Sequence, residues 1–179
     1  MSKRSGDFIS VREFLSEVDR DSIRFMMLNR SNDVELDFDF DKVLEKTREN
    51  PVFYGQYAYA RISSLFRKLN IDKDKVFKIN ENNFKLNTHE LNLFRKILDW
   101  PKVVETASIK LEPHRIPFYL YELATLFHAY WSKGNDDPTY KFIVDGKIKN
   151  TNTLLIIKLV SLTIENGMEI LDVSLLKKM

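Results

Sequence analysis

Along most of the chain the apolar positions recur every three or four residues, the period of helices packed on one face, which predicts an all-α fold. Ser10 and Glu13 have the spacing of a reciprocal capping box, and Phe14, Leu15 and Val18 supply an apolar face, so a first helix is expected over 11–18. A second is expected from Asp21 to about Asn29, where Ile23, Phe25, Met26, Met27 and Leu28 are nearly continuous and imply burial on most sides. The stretch ELDFDFD then alternates Leu36, Phe38 and Phe40 with Asp37, Asp39 and Asp41, the period of an extended connector with one buried face. Asp39 or Asp41 is placed to cap a further helix reaching about Glu49.

Asn50 as N-cap and Pro51 at the first helical position open a long helix through NPVFYGQYAYARISSLFRKL. Phe53, Tyr57, Ala60 and Ser64 share one of its faces, while Val52, Tyr59, Ile62 and Phe66 lie on others, so both sides should touch something. Residues 70–87 are polar, rich in Asn and Lys and without a sustained period; they read as a loop that divides the chain into segments 1–69 and 88–179. Beyond it, helices are expected over Thr88–Leu98, from Pro101 to about Ala107, and over Arg115–Ser132. Residues 134–150 form a turn-rich excursion before a strongly apolar helix that starts near Asn152 and ends at Gly167. No internal repeat at a fixed period is visible. The expected architecture is a helical bundle of two packed lobes.

Composition narrows the function classes. Hydrophobic residues make up 44% and charged residues 30% of 179, enough for a real core without staples. With 28 Lys+Arg against 26 Asp+Glu the net charge is only +2, so any binding of nucleic acid must be local rather than a bulk electrostatic effect. The absence of Cys excludes disulfides, thiolate metal sites and a Cys nucleophile. No apolar run approaches the roughly 18 to 20 residues of a membrane span, and residues 1–15 lack the apolar stretch of a signal peptide. A cytoplasmic, soluble protein without membrane partners is the expectation.

His89, His114 and His128 do not pair at a helical metal-binding spacing, and the Asp37, Asp39 and Asp41 run lacks the Gly and the distant Glu of a calcium loop. No metal site is expected. Tyr54, Tyr57, Tyr59 and Arg61, with Arg115, Tyr119, Tyr130 and Trp131 further on, are the residue types that recognise single-stranded RNA, where bases stack on rings and guanidinium groups hold phosphates. Aromatic stripes on helices also build cores, and spacing leaves the two readings open. Arg61 follows Tyr57 by four residues, so one stacked base and one held phosphate can form a tandem site.

The strings MSKRSGDFISVREF, RFMML, LDFDFDKV, NPVFYGQYAYARI, EPHRIPFYLYELATLFHAYW and ENGMEILDVSLLKKM, taken in order, resemble the C-terminal half of arginyl-tRNA synthetase, a class I family. Only 70–87 and 134–150 stay unmatched. The resemblance implies that MSKRSG is the family's Lys-Met-Ser-Lys loop met at its second residue, so that the chain starts inside a longer protein. Met1, Ser2 and Lys3 would then contact ATP, with Lys3 stabilising the phosphates as the adenylate forms. ATP with magnesium would serve the intact enzyme, and this chain alone would hold no cofactor and activate no arginine.

Residues 88–179, together with the long helix that closes the first segment, resemble the DALR-type anticodon-binding bundle; the eponymous string reads EPHR here and keeps Arg115. The implied tRNA contacts are Gln56, Tyr57, Arg61, Arg115, Tyr130, Trp131 and Met179. The implied partners are arginine tRNA and, for the intact enzyme, arginine and ATP. The family is usually monomeric, whereas the apolar VREF and QYAYAR surfaces suggest concentration-dependent self-association of this chain. Two further readings stay open: a free-standing helical RNA-binding module without catalysis, and a purely structural fragment.

Overall fold

Side-chain caps set most of the helix starts. Asp19 accepts from the Ser22 N–H, Asn50 from Phe53, Asn87 from Glu90 and Asn150 from Asn152, each satisfying a backbone donor that the first helical turn leaves without a partner. The structure, a computed structural model, describes residues 11–31, 33–35, 43–72, 76 and 85–176. In chain order these form α1 (Val11–Glu17), α2 (Arg20–Leu28), α3 (Pro51–Leu69), α4 (Thr88–Leu98), α5 (Trp100–Lys110), α6 (Arg115–Asp136), a 3-10 turn (Pro138–Tyr140), a small antiparallel hairpin of β1 (Ile143–Val144) and β2 (Lys147–Ile148), and α7 (Thr151–Ile170). Among the described residues the fold is all-α apart from that hairpin.

α6 is the hub, packing against α3, α4, α5 and α7. Leu120, Leu123, Ala124 and Phe127 on α6 meet Leu154, Ile157, Val160 and Ile164 on α7 and Ile62, Leu65 and Phe66 on α3 in one continuous core. A buried carboxylate fastens three helices: Glu90 accepts from the Tyr130 hydroxyl at 3.0 Å, from the Thr153 hydroxyl and from the Asn87 N–H at 2.9 Å. A buried charge persists only when its lone pairs are filled in this way.

Several sequence expectations change. α2 buries one face, with Phe25 inside and Met27 56% exposed, because α3 covers it from a single side. The helix expected to reach Glu49 does not: residues 45–50 turn instead, since the Asn50 amide donates to the carbonyls of Val43 and Glu45 and Pro51 disfavours helical geometry at the residue before it. The Ser10 cap and the Leu36–Asp41 connector lie outside the described residues. α5 runs three residues past Ala107 and α6 four past Ser132.

Gly134, placed in the turn-rich excursion, and Gly167, read as the end of the last helix, both sit inside helices. Gly134 lets the following chain cross close by, for a Cβ there would lie 3.2 Å from the Tyr140 carbonyl oxygen. Gly167 lets α7 approach α6, for a Cβ there would lie 2.6 Å from Leu120 Cδ2 and 3.1 Å from its Cγ. The hairpin turns on Asp145 (φ 50°) and Gly146 (φ 73°), the Asp-Gly pair that suits a tight two-residue turn.

Gly167→Ala should therefore destabilise the protein by about 1–2 kcal/mol, an overpacking cost of about 1–3 kcal/mol reduced by the better helix propensity of Ala. Gly55→Ala provides the contrast, because its Cβ would meet only the flexible tip of Met168 at 2.9 Å. Urea denaturation of both variants checks this; equal stability of the two would show that the α6–α7 approach is not limiting.

Candidate nucleic-acid interface

Tyr57 and Arg61 stand one turn apart on α3, facing the C-terminal half of α6, where the interior packing of Phe127 and Phe142 holds Trp131 in place. The Arg61 guanidinium carbon lies 4.2 Å from the Tyr57 ring centroid and 5.3 Å from that of Trp131. Cation–π contacts of this kind contribute about 0.5–2 kcal/mol each and fix the guanidinium between the rings. No carboxylate among the described residues pairs with Arg61.

These side chains form one wall of a cleft of about 390 Å³. Gly134 and the 3-10 turn bring Tyr140, Lys141, Phe142 and Ile143 across the opposite side. The lining carries Arg61, Lys68 and Lys141 and no acidic residue. A chain of net charge +2 thus concentrates cations around exposed aromatic surface at one place. Lys68 follows Arg61 by two turns on the same face of α3, a spacing that could have marked it in the sequence; Lys141 becomes a neighbour only through the turn after α6.

His128 holds Arg61 from below. It is 5% exposed, with Nε2 3.2 Å from the Tyr54 carbonyl oxygen and Nδ1 3.2 Å from Arg61 Nη1. A carbonyl only accepts and a guanidinium only donates, so Nε2 carries the proton and Nδ1 is the acceptor. Burial above all lowers the His128 pKa to about 4; the Tyr54 carbonyl opposes it in part, and the Arg61 charge adds a smaller push in the same direction as burial. The ring is neutral at neutral pH and adds no charge of its own to the site.

The other sequence candidates separate. Tyr130, one residue from Trp131, points into the core: it is 2% exposed, donates to Glu90 and stacks on His89 at 5.4 Å. Burial raises its hydroxyl pKa to about 12. Gln56 is buried and donates to the Ser174 carbonyl at 2.9 Å, tying α3 to the chain after α7. Arg115 lies sixteen residues from Trp131 along α6, about 24 Å at helical rise, and is paired with Glu112. Tyr59 donates to Glu165 on α7, and the Tyr119 hydroxyl donates to the Lys96 carbonyl at 2.6 Å. Met1, Ser2, Lys3 and Met179 lie outside the described residues. Among the described residues no grouping of His, Asp and Glu could hold a metal ion. No helix there is long and apolar enough to cross a membrane.

The His128 environment has a consequence for stability. Its pKa is near 6.5 in an unfolded chain and about 4 when folded, so the unfolded chain takes up this proton first as pH falls. The contribution is whole above pH 6.5 and is lost between 6.5 and 4, on the order of 3 kcal/mol in all. His128→Gln, which keeps a donor and an acceptor, should flatten that part of the stability–pH curve relative to the native protein. Parallel curves from pH 7 to 4 would contradict the buried neutral ring.

The sequence model of the DALR anticodon binding domain family matches residues 55–179. The arginine–tRNA ligase of Pelagibacter ubique is 48% identical over 100% of the chain, which covers 31% of that protein. That of Roseobacter denitrificans is 44% identical over 97% of the chain, again 31% of the relative. A crystal structure from Campylobacter jejuni, assigned as an arginyl-tRNA synthetase, superposes with a TM-score of 0.83 at 28% identity, over 99% of this chain and 37% of the other. The chain therefore spans about a third of the length of the ligases it matches, a proportion set by the 31% coverage. It belongs to the DALR anticodon binding domain family, in the form carried by the C-terminal region of arginyl-tRNA synthetases.

Proposed function

We propose that this chain binds arginine tRNA at the cleft between α3 and α6, as the anticodon-recognising part of an enzyme that joins arginine to its tRNA with ATP. The observation that supports this best is the Tyr57–Arg61–Trp131 arrangement in a cleft lined by cations and no carboxylate. A base stacks on the exposed ring surface of Tyr57 or Trp131, Arg61 holds a base edge or phosphate, and Lys68 and Lys141 follow the backbone. Met179 belongs to the same proposed contact set through the family resemblance. Gln56 contributes by anchoring the chain near Ser174, and Tyr130 by supporting Trp131 from the core.

ATP chemistry is assigned to Met1, Ser2 and Lys3 with the remainder of a longer enzyme. The described residues offer no group of side chains that could hold a metal ion. This chain alone should show no arginine-dependent exchange of pyrophosphate into ATP. Exchange above background would overturn the division of labour between the two parts.

Binding to transcribed arginine tRNA tests the main reading. Arg61→Ala and Trp131→Ala should each weaken binding about five- to a hundred-fold, corresponding to roughly 1–3 kcal/mol per lost stacking or charge contact, with thermal melts confirming that both variants fold. A tRNA with altered anticodon bases should lose affinity in the same range. Affinity that depends steeply on salt but not on the anticodon would instead favour a free-standing RNA-binding module. Indifference to every change would remove the cleft from RNA binding altogether.

A further inference from the structure

The aromatic contacts do not stop at the cleft. From Tyr57 they pass to His128 at 5.4 Å, to Tyr54 at 4.3 Å and to Tyr121 at 5.6 Å, a ladder of rings along the seam where α3 meets α6. At its far end the Nε–H of Arg48 donates to the Tyr121 hydroxyl at 3.3 Å. Arg48 is fully exposed, and no carboxylate among the described residues is bonded to it. The hydrogen bond to the Tyr121 hydroxyl, with Tyr54 packed behind that ring, raises the Arg48 pKa further and holds its guanidinium at the end of the ladder. This repeats the design of the cleft: a guanidinium placed by an aromatic side chain.

The position of Arg48 is built rather than incidental. It sits in the turn that Asn50 holds by donating to the carbonyls of Val43 and Glu45, immediately ahead of α3. Tyr121, which bonds Arg48, and Trp131, which Arg61 faces, are ten residues apart on α6, about 15 Å at helical rise, a length that a few nucleotides of single strand can span. We propose that Arg48 and Tyr121, backed by Tyr54, form a second RNA contact on the α3–α6 seam, holding a phosphate of the strand whose base stacks at Arg61 and Trp131. The proposal rests on the reading of the cleft as an RNA site and extends it to one continuous track.

The test is equilibrium binding of the chain to transcribed arginine tRNA over a range of salt, with Arg48→Ala, Tyr121→Phe and Arg61→Ala beside the native protein. Arg48→Ala should weaken binding about three- to ten-fold and lower the slope of log affinity against log salt by about 0.7, the value for one lost phosphate contact on a single strand. Tyr121→Phe keeps the ring but releases Arg48, and should weaken binding by a smaller factor. Arg48 is exposed and Tyr121 half-buried, and matching thermal melts would confirm an intact fold. An unchanged slope and affinity for Arg48→Ala, with Arg61→Ala still defective, would overturn this contact and leave the cleft reading standing. Failure of the native protein to bind the tRNA would overturn both.

Discussion

A neutral histidine between two helices is the constraint on which the candidate site depends. His128 bridges the Tyr54 carbonyl on α3 and the Arg61 guanidinium seven residues, about two turns, further along the same helix, while it belongs to α6. An imidazolium there would place two cations 3.2 Å apart in a buried setting, so burial and the Arg61 charge both keep the ring unprotonated. The same bond stops Arg61 from folding back along α3 and fixes it under Tyr57 and Trp131. Packing, protonation and presentation of the charge are thus one arrangement, and a change to any of the three alters the others.

That arrangement also explains how a nearly uncharged chain can present a basic site. Several acidic residues are occupied elsewhere: Glu90 is buried among hydroxyls, Glu112 pairs with Arg115, Glu122 with Lys96, and Asp172 with Arg20. Arg61, Lys68 and Lys141 remain together without a lining carboxylate. Local segregation of charge, rather than its sum, creates the field. For an RNA ligand the balance has a use, since non-specific backbone attraction stays weak and stacking geometry decides what is held.

The parts of the fold legible in the sequence were those set by neighbouring residues. Asn50 with Pro51 and Asn87 with Glu90 announce helix starts because cap and donor lie within one turn. Gly167 was misleading because a glycine at a helix end and a glycine under a crossing helix look identical in sequence; only Leu120, brought close by the fold, tells them apart. The Asp145-Gly146 pair carried a hairpin signal within a stretch read only as turn-rich. At the site, the Tyr57–Arg61 pairing was readable from a four-residue step, whereas His128 as the support of Arg61 was not, because it comes from another helix. Tyr130 and Trp131 were grouped as neighbours in sequence, yet consecutive helical residues point about 100° apart, which sends one into the core and the other to the cleft.

The opposite side of α3 accounts for its rigidity. Tyr59, Ile62 and Phe66 pack inward, Tyr59 reaches Glu165 on α7, and Gln56 holds the Ser174 carbonyl. That tail is fixed a second time by α2: Arg24 donates to the Leu171 carbonyl, and Asp21 accepts from the Ser174 N–H at 2.9 Å. α3 is therefore clamped on its buried faces by α7, α2 and the segment after α7, while its remaining face carries Tyr57, Arg61 and Lys68. A stacking site loses affinity when its rings must be ordered at the moment of binding, and a helix held from three sides has already met that cost during folding. The length of α3 and its apolar faces on more than one side follow from this double duty: one set of residues makes the helix immobile, and the other uses that immobility to present a charge between two rings.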